Sequence, residues 1–122
     1  MKESEVVGYI KRWLHEKNKS ILIDGTSGRY AGPDFVVGAG GSMNDQKPTE
    51  HIECKGEDSD IYKPIGQCLY YCWVGKIPTY LAIPQNLPFI KELVGIIDYF
   101  NLPIGLLLVD EGGTVSTKKK AT

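Results

Sequence analysis

Three charged residues of the sequence have the types and the spacing that hydrolytic chemistry requires. Glu53 and Lys55 are separated by one residue in the stretch HIECKGED, and Asp34 opens an earlier strand-like segment. Successive side chains of a strand point to opposite faces, so Glu53 and Lys55 share one face and Ile52 and Cys54 share the other. On this pattern alone, the commoner interpretation is an amphipathic strand whose charges are solvated. A chemical role requires a second acid that meets Glu53 in space.

Asp34 is placed to be that second acid. The segment 34–38 (DFVVG) predicts one strand, and 49–55 (TEHIECK) predicts the next, antiparallel to the first. The start of one strand then lies beside the end of the other. Two carboxylates there bind a hard divalent cation through oxygen, and the main-chain carbonyl of Cys54 adds a third oxygen. Lys55 does not bind metal, but it orients an attacking water or neutralises charge that develops on a phosphate.

The rest of the chain alternates between helical spacing and strand-like runs. The predicted helices span 3–17, 61–75 and 87–100, and the predicted strands span 21–24, 34–38, 49–55, 78–84 and 103–110. The fourth strand is expected to lie parallel to the third, after a right-handed helical crossover. The unbroken apolar run GLLLV predicts a last strand buried on both faces. This order predicts an α/β fold with a central mixed sheet flanked by helices.

Length, charge and cysteine content narrow the class of protein. The chain has 122 residues and a net charge of −1, which predicts one domain over 1–112 and a flexible basic tail over 113–122. Three cysteines, an odd number, do not indicate a disulfide framework, and free, buried thiols are expected. No apolar run is long enough to cross a membrane. A soluble cytoplasmic protein without a membrane partner is therefore the expectation.

The motif and the order of elements together resemble a known superfamily. Gly32-Pro33-Asp34, a loop, and then Glu53-Cys54-Lys55 resemble the PD-(D/E)xK nucleases, which include type II restriction enzymes and archaeal Holliday junction resolvases. The shared core of that superfamily is a helix, three strands, a helix and a strand, and the resemblance covers roughly residues 3–84. It implies a restriction-endonuclease-like α-β-β-β-α-β core and a DNA endonuclease that uses Mg²⁺ or Mn²⁺ to hydrolyse phosphodiester bonds.

The resemblance also implies roles for individual residues. Three of them match the first acid, the second acid and the lysine of the motif, in that order: Asp34, Glu53 and Lys55. Gln67 matches a glutamine that many members carry on the helix after the third strand. Some members add a glutamate on the first helix. Glu5 is the better match for it, because Val6 and Val7 are expected to hold that turn against the sheet, and Glu3 is the alternative.

Several other side chains are candidates for contact with DNA. Ser27 and Arg29 lie in the glycine-rich connection before Asp34, and Lys63 lies at the start of the second helix. Each is a candidate phosphate ligand, with a solvated turn or surface lysine as the alternative. His51 is expected to have a surface or cross-strand role. Three aromatic residues follow Gln67 on its helix, where packing is commoner than stacking on bases: Tyr70, Tyr71 and Trp73.

Three classes of function are compatible with these residues. The first is a metal-dependent endonuclease on branched or duplex DNA, resembling a Holliday junction resolvase or another structure-selective nuclease. Such an enzyme with one site per chain would cut both strands as a homodimer. The second is a catalytically inactive nuclease-fold module for nucleic-acid binding or assembly. The third is a structural α/β domain in which the motif is coincidental. Retention of Asp34, Glu53, Lys55 and Gln67 together favours the first.

Overall fold

The apolar runs of the sequence form the strands of one six-stranded mixed sheet. The computed structural model describes residues 1–27, 32–40 and 46–122. Its helices are α1 (Glu3–Glu16), α2 (Tyr62–Gly75) and α3 (Ile90–Tyr99). Its strands are β1 (Ser20–Asp24), β2 (Phe35–Gly38), β3 (Pro48–Cys54), β4 (Thr79–Pro84), β5 (Gly105–Val109) and β6 (Val115–Lys119), with a short 3-10 turn at Gly25–Ser27. The predicted α/β class with a mixed sheet is confirmed.

The strands lie side by side in the order in which they occur in the chain, β1-β2-β3-β4-β5-β6. The pairs β1/β2 and β2/β3 are antiparallel, β3/β4 and β4/β5 are parallel, and β5/β6 is antiparallel. Helices α2 and α3 are the crossovers that parallel pairing requires. The predicted parallel pairing of the third and fourth strands is confirmed.

Alternation along β5 divides the core between the two faces of the sheet. All five residues of β5 are buried, as the unbroken apolar run predicted. Leu107 and Val109 belong to a cluster that includes the buried stripe of α1, whereas Leu106 and Leu108 belong to a second cluster that includes buried residues of α2 and α3. The protein therefore has three layers, with α1 on one face of the sheet and the other two helices on the opposite face.

The end of the chain corrects the prediction of a flexible tail over 113–122. Val115–Lys119 form β6, which pairs antiparallel with β5 from Val109↔Val115 to Leu106↔Lys119. The turn before β6 is closed by Asp110, whose Oδ1 accepts a hydrogen bond from the Thr114 amide at 2.8 Å. Gly113 has φ +89°, a conformation that favours glycine. The outer residues of β6 are polar because it is an edge strand with an exposed face, and the apolar pattern of a core strand is absent.

No helix in the described parts of the chain combines the length and the apolar character needed to span a bilayer.

Candidate active site

The register of the β2–β3 hairpin brings Asp34 and Glu53 together. Phe35 pairs with Ile52, so the residue before β2 faces the residue that follows Ile52 on β3. The Asp34 amide donates to Oε1 of Glu53 at 3.2 Å, and Oδ2 of Asp34 accepts from the Cys54 amide at 2.8 Å. Each strand end thus holds the carboxylate of the other, and both side chains are fixed relative to the sheet.

The charged face of β3 is not solvated, which overturns the simplest interpretation of the HIECK pattern. Glu53 is 4% exposed and His51 is 9% exposed. The side chain of Lys55, directly after β3, is 18% exposed, and its Nζ lies 3.4 Å from Oε2 of Glu53. Ionised side chains are seldom buried without a compensating interaction. The burial of a carboxylate beside a second carboxylate therefore indicates a site and not an ordinary strand surface.

Burial and charge both raise the proton affinity of the carboxylate pair. Desolvation, and then the nearby charge of Asp34, raise the pKa of Glu53 to about 7, against the opposing effect of Lys55. Desolvation also raises the pKa of Asp34, although the Cys54 amide and the charge of Lys55 oppose the rise. A single lysine thus leaves excess negative charge when both carboxylates are ionised. A divalent cation would neutralise that excess.

The oxygen donors at this position suit Mg²⁺ or Mn²⁺. Within the described residues, no group of three or more His, Cys, Asp or Glu side chains could hold a metal ion. Mg²⁺ is nevertheless commonly held by one or two carboxylates together with substrate phosphates and water. The Cys54 carbonyl points to the same side of the strand as the Cys54 amide that Asp34 accepts, since both groups of one residue point the same way in a strand. Asp34, Glu53 and the Cys54 carbonyl are thus chemically suited to this cation.

Two clefts flank the carboxylate pair, and both are lined by Glu3 at the start of α1. One, of about 590 Å³, is also lined by Lys55 and Lys63. The other, of about 450 Å³, is also lined by Asp34 and Thr26. The close approach of α1 to β3 depends on a glycine, because a Cβ at position 56 would lie 2.3 Å from the amide nitrogen of Glu3. The first turn of α1 is therefore part of the site.

Within that first turn, the structure favours Glu3 and not Glu5. The residues lining the two clefts include Glu3 but not Glu5. The Oε1 of Glu5 accepts a hydrogen bond from the Lys2 amide at 3.2 Å, as a helix-capping residue does. A signal in the sequence does separate the two residues. Glu3 lies seven residues before the buried Ile10 and hence on the same helix face, whereas Glu5 lies on another face.

Gln67 lies on α2, which packs against β3 and β4. Its Oε1 is buried and has no hydrogen-bond partner in the described parts of the chain. Buried polar atoms normally have a partner, and exceptions occur where a ligand or water completes the set. This orphaned acceptor is consistent with the predicted role of Gln67 at the site, although no contact between Gln67 and the carboxylate pair is described.

The structure describes two of the three predicted phosphate ligands. Lys63 is exposed and lines the larger cleft together with Lys55, so the structure brings these two lysines to one opening. Ser27 ends the 3-10 turn that follows β1. Arg29 lies outside the described residues.

His51 and the cysteines have contacts or burial that a purely structural role explains. His51 is buried, and its Nδ1 is 3.5 Å from Oγ1 of Thr79, its register partner on β4. The cross-strand role is therefore confirmed and the surface role is wrong. A Cβ at Gly75 would lie 2.5 Å from Cε1 of His51, so the end of α2 closes over the ring. All three cysteines are free, as predicted. Cys54 and Cys68 are buried, and burial raises the pKa of both thiols, whereas the prediction of a buried Cys72 is wrong because this residue is half-buried.

Comparison with known proteins adds no relative to this description. No family model, no curated protein and no solved structure matches the chain.

Proposed function

We propose that the protein is a divalent-metal-dependent DNA endonuclease with a restriction-endonuclease-like core. One observation carries this proposal: Asp34, Glu53 and Lys55 converge at one end of the sheet, where the buried carboxylate of Glu53 and the half-buried carboxylate of Asp34 are held by the reciprocal backbone hydrogen bonds of their strands. A structural domain would gain nothing from burying one carboxylate beside another, because burial of an ionised carboxylate costs several kcal/mol before compensation. The order of α1, β1, β2, β3, α2 and β4 also agrees with the core of the superfamily that the motif resembles.

Asp34, Glu53 and the Cys54 carbonyl are the groups that would hold Mg²⁺ or Mn²⁺. The cation would supply Lewis-acid polarisation of a phosphate and would lower the pKa of water. The protein contributes preorganisation, since backbone amides on neighbouring strands hold both carboxylates before substrate arrives.

Lys55 is the group of this chain that is suited to act on the attacking water. Its Nζ is an ammonium donor 3.4 Å from Oε2 of Glu53 and lies at the rim of the larger cleft. From there it orients the water and offsets negative charge on the phosphorus oxygens during attack. The ion pair with Glu53 keeps the Lys55 ammonium in place. The one-residue spacing therefore lets Glu53 bind the cation while Lys55 orients the water.

The substrate in this proposal is duplex or branched DNA, and the setting is cytoplasmic. Cutting both strands with one site per chain requires two copies, so a homodimer is part of the proposal. The run GLLLV is buried in β5 and is not available as an interface.

The test is a cleavage assay on labelled four-way junction, flap and duplex DNA, with Mg²⁺ or Mn²⁺ and with EDTA as a blank. Asp34→Asn, Glu53→Gln and Lys55→Ala are each expected to lower the rate by at least about a hundredfold, because each removes a group that stabilises the transition state. Glu50→Gln is the matched control, since Glu50 lies on the same strand but pairs with Lys19 at 2.7 Å.

Each outcome of this assay decides between the functional classes. Full activity of Glu53→Gln would refute the assignment. DNA binding with Mn²⁺ binding but no cutting of any substrate would favour the inactive nuclease-fold module. Absence of both DNA and metal binding would leave only a structural α/β domain.

A further inference from the structure

The outer surface of α2 carries large apolar side chains that the core does not use. Tyr62, Tyr70, Trp73 and Val74 are 77%, 60%, 69% and 58% exposed, and Gly66 is also exposed between them. At 100° per residue these five residues fall within an arc of about 120°, so they form one continuous stripe, called here the α2 face. Tyr70 and Trp73 therefore do not pack in the core, which leaves packing at an interface or stacking on bases as the alternatives. The buried residues of this helix are Pro64 and Cys68, on its other side.

Lysines are the charged residues of α2 itself. The sequence has no Asp or Glu from residue 61 to residue 91, and the charged residues on α2 and directly after it are Lys63 and Lys76. Asp60 lies before the helix, where its Oδ1 accepts a hydrogen bond from the Lys63 amide at 2.8 Å. Lys76 Nζ lies 5.0 Å from the centre of the Trp73 ring, which places a cation against the aromatic surface. A surface of aromatic rings and lysines without carboxylates is complementary to a polyanion that has flat apolar groups.

This charge pattern favours nucleic acid over a second copy of the chain. A two-fold contact through the α2 face would bring the lysines of one helix against a partner helix that has no carboxylate to pair with them. A phosphate backbone provides the missing negative charge, and bases provide faces on which Tyr and Trp stack.

The α2 face begins at the proposed active site. Lys63, beside Tyr62, lines the cleft that also contains Lys55. From Tyr62 to Trp73 the helix rises about 17 Å, at 1.5 Å per residue. A strand of nucleic acid that leaves the cleft can therefore follow the helix away from the reacting phosphate. The faces of bases in a duplex are covered by their neighbours, so that stacking on this surface requires unpaired bases.

We propose that the α2 face binds an unpaired DNA strand next to the cleavage site, with Tyr62, Tyr70 and Trp73 as stacking residues and Lys63 and Lys76 as phosphate ligands. This inference rests on the proposed endonuclease activity and narrows its substrate to DNA that has a single-stranded segment beside the cut. Flaps and branch points are of this kind, whereas a continuous duplex is not.

The test measures binding separately from cutting. Fluorescence anisotropy in EDTA compares labelled dT20 with a 20-base-pair duplex, for the wild type, Tyr70→Ala/Trp73→Ala and the control Tyr99→Ala. Tyr99 is 84% exposed on α3 and lies outside the α2 face. The double variant should bind dT20 at least about tenfold more weakly, from stacking losses at two residues, and Tyr99→Ala should bind it as the wild type does. In a Trp13→Phe background, dT20 should also quench the fluorescence of Trp73.

The outcomes distinguish failure of this inference from failure of the proposed function. Equal dT20 binding by wild type and double variant, or no quenching of Trp73, would overturn the inference even if the wild type cuts DNA with Mg²⁺. A stacking-dependent loss of dT20 binding in a protein that cuts no DNA would retain the α2 face and refute the endonuclease. A wild-type dimer, measured by light scattering, that becomes monomeric in the double variant with dT20 binding unchanged would assign the face to a second copy and overturn the inference.

Discussion

Replacing Glu53 with glutamine should stabilise the metal-free protein at alkaline pH, although it removes an ion pair. Burial and the charge of Asp34 raise the pKa of Glu53 to about 7 from an ordinary value of 4.5. The folded protein therefore binds this proton more tightly than the unfolded chain does. Stability is greatest below pH 4.5 and decreases as the pH rises towards 7, because ionisation of Glu53 is costlier in the folded state.

The magnitude follows from the pKa difference. A difference of about 2.5 between 7 and 4.5 corresponds to at most about 3 kcal/mol over the full range. Of this, about 2 kcal/mol is lost between pH 5.5 and pH 8.5, since part of the loss has already occurred at pH 5.5. Glutamine has no charge to ionise, and its oxygen can still accept from the Asp34 amide. Glu53→Gln should therefore gain about 1–2 kcal/mol relative to the wild type over this interval, equivalent to a rise in Tm of about 3–8 °C.

The assay is urea denaturation in EDTA at pH 5.5 and pH 8.5, followed by circular dichroism. Glu50→Gln is the control, because Glu50 lies on the same strand but has a lysine and not a second carboxylate as its partner. A second measurement adds Mn²⁺ at pH 8, which should raise the Tm of the wild type and leave Glu53→Gln almost unchanged. An identical pH dependence of stability in wild type and Glu53→Gln would refute the reasoning, as would a variant that is less stable at both pH values.

Two further predictions concern the elements around the site. Gly56→Ala should lower the free energy of unfolding by about 1–3 kcal/mol and should also lower the cleavage rate, because the added Cβ would displace the backbone at Glu3. The control is Gly8→Ala, which has open space around it and should be neutral or stabilising in thermal melts. Deletion of residues 113–122 should lower Tm by at least about 5 °C, since it uncovers the edge of β5 and removes the packing of Val115; an unchanged Tm would show that β6 contributes nothing to stability.

Much of the fold is predictable because its signals are local. The apolar stripe of α1 and the unbroken run of β5 specify which faces are buried without any knowledge of their partners. The sixth strand has no such signal in its own residues, since VSTKK is mostly exposed. Two other features specify the sixth strand. One is the turn before it, where Asp110 and the Gly112-Gly113 pair favour a hairpin. The other is the open edge of β5, which exists only once the sheet has assembled.

The candidate site, like the fold, is only partly predictable from the sequence. The approach of Asp34 to Glu53 follows from antiparallel pairing alone, because the start of one strand must lie beside the end of the next. The burial of Glu53 does not follow, since a pattern of alternating charged and apolar residues is also what a half-solvated strand shows. The choice between Glu3 and Glu5 depends on helix phase, since Val7 lies about 40° from Glu3 around α1 and on the opposite side from Glu5.

The arrangement of charge indicates why the sheet, and not a loop, carries the carboxylate pair. Two carboxylates that repel each other would separate on flexible segments and lose the geometry that a cation requires. Here each is bonded to a backbone amide of the opposing strand, so that separation would break the hairpin itself. Lys55 offsets part of the repulsion but leaves the pair short of positive charge. Ionisation of both carboxylates thus lowers the stability of the metal-free protein, and the proposed cation would offset that loss on binding, which is the relation that Glu53→Gln tests.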